Sequence, residues 1–140
     1  MQFIFLTQDF YNDYVDCSEI EQKRYRPYVQ VYIRLNGVDF AVPLRSNINH
    51  PNALWTDKEH RCGLDFSKAV VITKASYIDR TTVPHIRPNE FNALRGKEYQ
   101  AEQGLIRYIN EYKKAKRRLD IPRNQTLCRF STLQYFEEYI

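Results

Sequence analysis

Residues 28–50 have the sequence YVQVYIRLNGVDFAVPLRSNINH, and their pattern is that of a β-hairpin. Apolar and polar residues alternate on both sides of Asn36-Gly37, a pair that two-residue hairpin turns favour. A turn of this length sets the register and directs the alternating apolar residues to one face, which we expect to be core. The pairs predicted on that face are Leu35–Val38, Ile33–Phe40, Val31–Val42 and Val29–Leu44.

The opposite face of the predicted hairpin is expected to be a polar and aromatic surface. Proline has no N–H for a strand ladder, so Pro43 predicts a sheet edge or the end of pairing. The following loop, residues 46–52, carries hydroxyl, amide and imidazole groups on a rigid support, where functional residues are often found. The pairs predicted on the polar face are Arg34–Asp39, Tyr32–Ala41, Gln30–Pro43 and Tyr28–Arg45.

The composition predicts one soluble, cytoplasmic domain over residues 1–140. A chain of 140 residues with 43% hydrophobic residues is large enough to bury its own core. No apolar run approaches the roughly 20 residues of a membrane span. The three cysteines show no zinc-ligand spacing, so we interpret them as reduced thiols and expect neither a metal nor a cofactor.

Charge and aromatic content permit a nucleic-acid partner. The net charge is +4, and 11 tyrosines and 8 phenylalanines are distributed among the lysines and arginines. Such surfaces stack bases and bind phosphates, although β-sheets also favour tyrosine for structural reasons alone. The candidate RNA-binding residues are Tyr28, Tyr32, Lys58, Lys74, Lys113, Lys114, Lys116, Arg117 and Arg118.

The remaining elements follow from periodicity and capping signals. The cations at 113–118 lie near the end of the longest predicted helix, where they either complement the helix dipole or contact RNA. The sequence predicts strands at 2–6, 69–73 (central) and 127–130, and helices after Thr7, from Asn89 to Gly96, from Lys97 to Leu119, and from Ser131 to Tyr139.

The common catalytic motifs are absent from the sequence. It has no Gly-rich phosphate loop, no His-Glu-x-x-His, no Gly-x-Ser-x-Gly and no run of acidic metal ligands. RNA cleavage by its own 2′-hydroxyl needs neither metal nor cofactor. It requires groups that align the nucleophile, neutralise the phosphorane and protonate the leaving oxygen, and Arg, Lys, Ser, Tyr and His suffice.

Four short segments carry a resemblance to a known family: FIFL at 3–6, the strand pair around Asn36-Gly37, PLRS at 43–46 and CRFSTL at 128–133. In this order and spacing they resemble the toxins of type III toxin–antitoxin systems, the ToxN/AbiQ family, and most closely its CptN branch. The resemblance implies an α+β fold, a compact and strongly bent antiparallel sheet wrapped by helices.

The same resemblance implies an activity and partners. Family members are sequence-selective endoribonucleases of phage abortive infection that leave a 2′,3′-cyclic phosphate. They process, and are inhibited by, a small repeated antitoxin RNA folded as a pseudoknot, in a closed assembly with several copies of each. The residues leave two alternatives open: a non-catalytic module that binds single-stranded RNA, and an interaction protein whose aromatic surface docks protein partners.

The resemblance also implies a role for individual residues. Ser46 matches the serine of the family's Pro-Leu run and is expected to hydrogen-bond the scissile phosphate. Arg45 occupies a position where relatives carry threonine, Arg26 one where they carry lysine, and Tyr11 falls on their N-terminal tyrosine. We expect Arg45 and Arg26 to be phosphate ligands rather than ion-pair partners, since few acidic residues are near in sequence.

The general acid or base is less directly indicated. The lysine that follows the serine in relatives has no counterpart at Asn47 or Ile48. His50 or Lys58 is expected to supply its role, and His50 is preferred because imidazole titrates near neutrality. A lone histidine is also often structural.

Overall fold

The computed structural model describes residues 1–21 and 27–140, and every structural statement below concerns these residues. The strands are β1 Gln2–Leu6, β2 Gln30–Leu35, β3 Val38–Arg45, β4 Ala53–Asp57, β5 Cys62–Asp65, β6 Val70–Val71 and β7 Ile78–Asp79. The α-helices are α1 Gln8–Asp13, α2 Pro88–Leu94, α3 Glu98–Arg117 and α4 Pro122–Phe130. Short 3₁₀ turns lie at Phe66–Lys68, Ala75–Tyr77, Thr132–Tyr135 and Glu137–Tyr139.

The strands described form one antiparallel sheet that does not close into a barrel. Its order is β4-β5-β3-β2-β1-β7, and β6 pairs separately with β3. The helices lie against this sheet, so the α+β class predicted from the sequence is confirmed. None of the helices in the described ranges combines the length and apolar composition needed to cross a membrane.

The predicted hairpin register is confirmed. Leu35 pairs with Val38, and the ladder continues residue by residue to Gln30 and Pro43. Asn36 and Gly37 have φ of 48° and 78°, the left-handed backbone that a primed two-residue turn requires. The side-chain order along both strands is therefore set by the turn.

The second face of the hairpin is not the polar surface that the sequence predicts. Gln30 is only 5% exposed and Ala41 is fully buried, because Phe10 and Tyr11 of α1 and the C-terminal segment cover this face. The sheet thus has apolar packing on both sides at its centre. Only the end near the turn keeps the predicted polar character.

Pro43 does not mark a sheet edge, because β3 is an interior strand. On the side away from β2, β3 pairs with β6 near the turn and with β5 at Leu44 and Arg45. Leu44 donates its N–H to Val29 at 2.8 Å, so the nitrogen of Pro43, one residue earlier, points away from β2. The nitrogen of Pro43 faces the gap between β6 and β5, so the missing N–H removes no hydrogen bond between strands.

One strand was not predicted, and one predicted strand is part of a helix. Strand β4 forms within a stretch that shows no alternation, and it is held by pairing with β5. The strand predicted at 127–130 is instead the end of α4, which begins with Pro122 at its first turn. Proline is favoured at that position, and the helix buries Cys128 against the core.

Other elements differ in extent rather than in place. The predicted central strand 69–73 contributes only two paired residues, Val70 and Val71, although its neighbours are buried too. The helix predicted from Ser131 is replaced by two 3₁₀ turns. The Ser131 hydroxyl accepts the Leu133 N–H at 3.2 Å, so the capping residue is as predicted but the helix type is not.

Helix α3 packs along the core with the residues that the 3.6-residue period predicts. Ala101, Leu105, Tyr108, Tyr112 and Ala115 are its buried residues. A Cβ placed on Gly104 would lie 2.4 Å from the Phe66 ring, so a glycine is needed where the helix meets the 66–68 turn. This close approach fixes the turn that follows β5.

Candidate active site

Asp65, the last residue of β5, is a fully buried carboxylate with four hydrogen-bond donors around it. Its Oδ2 accepts from Arg45 Nη1 at 2.7 Å, and its Oδ1 accepts from the Ser67 N–H at 3.0 Å and the Ser67 hydroxyl at 2.6 Å. His50 Nε2 lies 3.0 Å from the same Oδ1. Burial alone would raise the pKa of Asp65, but the bonds from His50, Ser67 and Arg45 outweigh it and hold the pKa below its usual value. Asp65 is therefore an ionised anchor for three side chains.

Arg45 bridges two carboxylates. In addition to Asp65 it binds Glu21 Oε1 through Nη2 at 2.6 Å, and its guanidinium lies 5.8 Å from the centre of the Tyr28 ring. The expectation that Arg45 is not an ion-pair partner is wrong, because its partners lie 20 and 24 residues away in sequence. These bonds fix the orientation of the guanidinium and neutralise most of its charge.

His50 has both ring nitrogens engaged. Nδ1 accepts the Asn52 backbone N–H at 3.1 Å, so in the neutral ring the proton is on Nε2. Nε2 lies 3.0 Å from both Ser67 Oγ and Asp65 Oδ1. The imidazole thus joins the loop after β3 to the buried carboxylate.

These residues lie at one side of a cleft with a volume of about 530 Å³. Arg45, His50 and Ser67 line it from the sheet and its loop, while Arg123 and Phe130 line it from α4. The cleft thus combines cations, hydroxyls, an imidazole and an aromatic ring. That set of groups suits a polyanionic ligand with flat apolar rings, which is the chemistry of a nucleic-acid strand.

Lys68 links the two sides of the cleft. Its ammonium donates to Glu19 Oε2 and to the backbone carbonyl of Phe130, both at 2.9 Å. The first bond neutralises its charge, and the second fixes the C-terminal end of α4. Lys68 is therefore mainly a structural cation in this geometry.

Ser46 occupies a different position from the cleft lining. It is exposed, directly after Arg45, and its hydroxyl makes no hydrogen bond within the described ranges. The serine hydroxyl that does line the cleft is Ser67. Its role was not recognised in the sequence, although the Asp65-Phe66-Ser67 spacing is the known signature of a side-chain turn.

Tyr11, another predicted catalytic residue, is not brought into the cleft lining. Tyr11 is buried, and burial raises its pKa to about 12. It lines a recess of about 30 Å³, roughly the volume of one water molecule, beside Arg45 and Tyr28. Arg26 lies outside the described residues.

The predicted RNA-binding residues on the sheet are dispersed. Tyr28 is close to Arg45, whereas Tyr32 hydrogen-bonds Asp39 and lines a separate depression near the hairpin turn. Lys74 lines the same depression and pairs with Asp13 at 3.3 Å. Lys58 is exposed on the turn between β4 and β5.

The cations at the end of α3 are partly neutralised. Lys116 pairs with Glu137 at 3.2 Å, and Arg118 makes a two-pronged contact with Asp120 at 3.0 Å. Lys113, Lys114 and Arg117 have no carboxylate partner in the part of the chain that is described. Three of the five cations are therefore available to an external anion.

No group of three or more His, Cys, Asp or Glu side chains among the described residues is arranged to hold a metal ion. The chain matches no protein-family model, and no curated protein or solved structure is similar enough to it to count as a match.

Proposed function

We propose that this chain is an endoribonuclease that cuts RNA in the cleft beside Arg45 without a metal ion. The observation that carries the proposal is that Arg45, His50, Ser67 and Arg123 converge on one cleft from three separate parts of the chain. The sequence resemblance to type III toxins supports it independently. On that resemblance we also propose a repeated antitoxin RNA as the inhibitor.

The proposed reaction is attack by a ribose 2′-hydroxyl on the adjacent phosphorus. The bond from phosphorus to the 5′-oxygen breaks, leaving a 2′,3′-cyclic phosphate and a 5′-hydroxyl. The 2′-proton passes to a base, and the departing oxygen takes a proton from an acid. Arg45 and Arg123 are the groups suited to the phosphorane charge, because a guanidinium donates two parallel hydrogen bonds to phosphate oxygens.

His50 is the proposed proton carrier, and its geometry sets a condition on that role. To donate a proton, the ring must first be protonated on Nδ1, which the Asn52 N–H now occupies at 3.1 Å. The loop must therefore shift locally when substrate binds. Hydrogen bonds of this kind often rearrange between the free enzyme and the substrate complex.

The hydrogen bond at His50 Nδ1 also favours a second candidate function, a module that binds single-stranded RNA without catalysis. With both nitrogens of His50 occupied and Arg45 held by two carboxylates, the polar groups serve structure and binding. The two candidate functions differ in whether the bound RNA is cut. A binding module retains RNA and leaves it intact.

The deciding experiment incubates the purified protein with a defined RNA in excess EDTA. Cleavage with products that end in a 2′,3′-cyclic phosphate supports the proposal. Intact RNA that co-migrates with the protein supports the binding module. Intact RNA without binding excludes both.

Ser46→Ala tests the residue that the resemblance implicates most strongly. The side chain is exposed, so we expect an unchanged fold. The resemblance places this serine at the scissile phosphate, so we also expect loss of both cleavage and growth arrest, although Ser46 does not line the cleft. Ser18→Ala, at another exposed serine, is the matched control and should retain both activities. Growth arrest by a well-folded Ser46→Ala protein would remove Ser46 from the site.

A further inference from the structure

The side of α4 that lines the cleft carries a cation, a hydroxyl and an aromatic ring in one row. Arg123, Thr126 and Phe130 are three, four and seven residues apart, so they share a helix face, and all three line the cleft. No part of this helix was assigned a role from the sequence, where its end was predicted to be a strand. This cleft-facing row, residues 123, 126 and 130, is called the α4 row below.

Arg123 is distinguished from the other cations of the cleft by its lack of a partner. Arg45 is held by Asp65 and Glu21, and Lys68 is held by Glu19. Arg123 has no carboxylate within ion-pair distance among the residues described. It also lies in the first turn of α4, which contains no acidic residue.

A cation in that turn is disfavoured by the helix dipole, which is positive at this end. The position therefore costs stability in the free protein and gains nothing from a neighbouring group. A bound phosphate would interact favourably with both the guanidinium and the helix end. Arg123 can therefore bind a phosphate without first losing a carboxylate partner, as Arg45 would have to.

Phe130 is the aromatic group of the row. Half of its surface is exposed, whereas Phe10, Phe40, Phe66 and Phe136 are buried in the core. Its backbone is fixed by the Lys68 bond to its carbonyl at 2.9 Å, and Arg129 lies 5.4 Å from its ring centre. A positioned, half-exposed ring beside an unpaired cation is the arrangement that stacks a base while its phosphate is held.

We propose that the α4 row is a nucleotide subsite for single-stranded RNA, in which Phe130 stacks one base and Arg123 binds a phosphate. The bases of a duplex already stack on each other and do not offer a free face, so the strand must be single. The exposed carboxamides of Asn47 and Asn49 line the same cleft and are suited to hydrogen-bond the edge of that base. The inference rests on the proposed function in that it names how the same cleft holds its RNA.

The test measures binding of a 12-nucleotide, mixed-sequence 2′-fluoro RNA, which lacks the attacking hydroxyl and stays intact. One purine is replaced by 2-aminopurine, whose fluorescence falls when it stacks on a ring. We expect Phe130→Ala to weaken binding roughly 5- to 150-fold, the effect of losing one stacked base, and to abolish the quenching. Phe130→Tyr should retain both because it keeps the ring.

Arg123→Gln is expected to act differently. It should weaken binding and flatten the dependence of log affinity on log salt concentration by about 0.7, as for one lost contact to a single strand. Phe130→Ala should leave that slope unchanged. Tyr99→Ala and Arg95→Gln, at exposed positions on α3 and beside α2 that do not line the cleft, are the controls and should bind like the unaltered protein.

The outcomes separate this inference from the proposed function. If the unaltered protein binds and cuts RNA but both α4 variants bind equally well, the subsite is excluded and the cleavage proposal stands. If the variants lose binding as expected while unmodified RNA is never cut, the subsite stands as part of a binding module. If the unaltered protein binds no RNA, both proposals fall. Thermal midpoints of the variants equal to that of the unaltered protein exclude misfolding as the cause of any lost binding.

Discussion

Two segments of the chain build the same local motif and put it to different use. In Asp65-Phe66-Ser67 and in Asp79-Arg80-Thr81, the aspartate accepts both the backbone N–H and the hydroxyl of the residue two positions later. The distances are 3.0 and 2.6 Å at Asp65, and both are 2.8 Å at Asp79. Such turns follow from the short polar side chains themselves.

The two motifs differ in what surrounds them. Asp65 is fully buried and also binds Arg45 and His50, whereas the described bonds of Asp79 come from its own turn, at Thr81 and Thr82. The pKa of each carboxyl is lowered, but for Asp79 the largest cause is the Thr81 N–H, while at Asp65 the bonds must first offset burial. The comparison teaches that a local motif becomes part of a site only when tertiary packing removes it from water.

The largest effect is expected from Asp65→Ala. Breaking a buried ion pair leaves an uncompensated group in the interior, so we expect a loss of about 3 to 5 kcal/mol in unfolding free energy. Asp79→Ala is the matched change in the other motif, whose aspartate is half-buried and makes no ion pair among the described residues, and it should cost far less. Urea unfolding of both variants measures the difference, and equal losses would break the comparison.

The stabilisation by Asp65 should also depend more strongly on pH than the stabilisation by Asp79. Since the folded-state pKa of Asp65 is lowered, its stabilisation is present above the unfolded pKa near 4 and is lost as pH falls through the folded pKa. The stability difference between the unaltered protein and Asp65→Asn should therefore shrink from pH 7 to pH 2.5. Asp79→Asn should show a smaller change over that range. If the unaltered protein and Asp65→Asn differ in stability by the same amount at both pH values, the lowered pKa of Asp65 is contradicted.

The smallest of the three effects concerns the hydroxyl of the motif. Ser67→Ala removes a hydrogen bond from a buried carboxylate, so we expect a loss of about 1 to 3 kcal/mol. Thr81→Ala removes the corresponding hydroxyl at the surface and should change stability by about 0.5 kcal/mol or less. Thermal unfolding of the pair is sufficient, and a Thr81 effect as large as that of Ser67 would show that burial is not the cause.

The hairpin shows how far sequence reasoning reached. Its turn, its register and the apolar face were predicted correctly, because the Asn36-Gly37 turn and the alternation are local and mutually consistent. The opposite face was predicted as polar surface and is buried at its centre. The residues that cover it, Phe10 and Tyr11, belong to another element, and no pattern within the hairpin reports their position.

The candidate site shows the limit more clearly. Arg45 and His50 were selected from the sequence, and both line the cleft. Asp65, Ser67 and Arg123 were not selected. Asp65 reaches Arg45 only because β5 pairs with the end of β3, and Arg123 faces the cleft only because residues 122–130 form a helix.

The sequence by itself determined the elements whose signals are local: the hairpin register, the long helix α3 and the cap at Ser131. Each is specified by residues within a few positions of one another, so its energetics can be read along the chain. Only the tertiary structure decided which charges are neutralised. Glu21, Asp65 and Arg45 are distant in sequence and close in space, and their pairing leaves Arg123 as the unpartnered cation of the cleft among the residues described. Electrostatic energy depends on distance and burial rather than on sequence separation, and for that reason the composition of the site could not be obtained from the sequence alone.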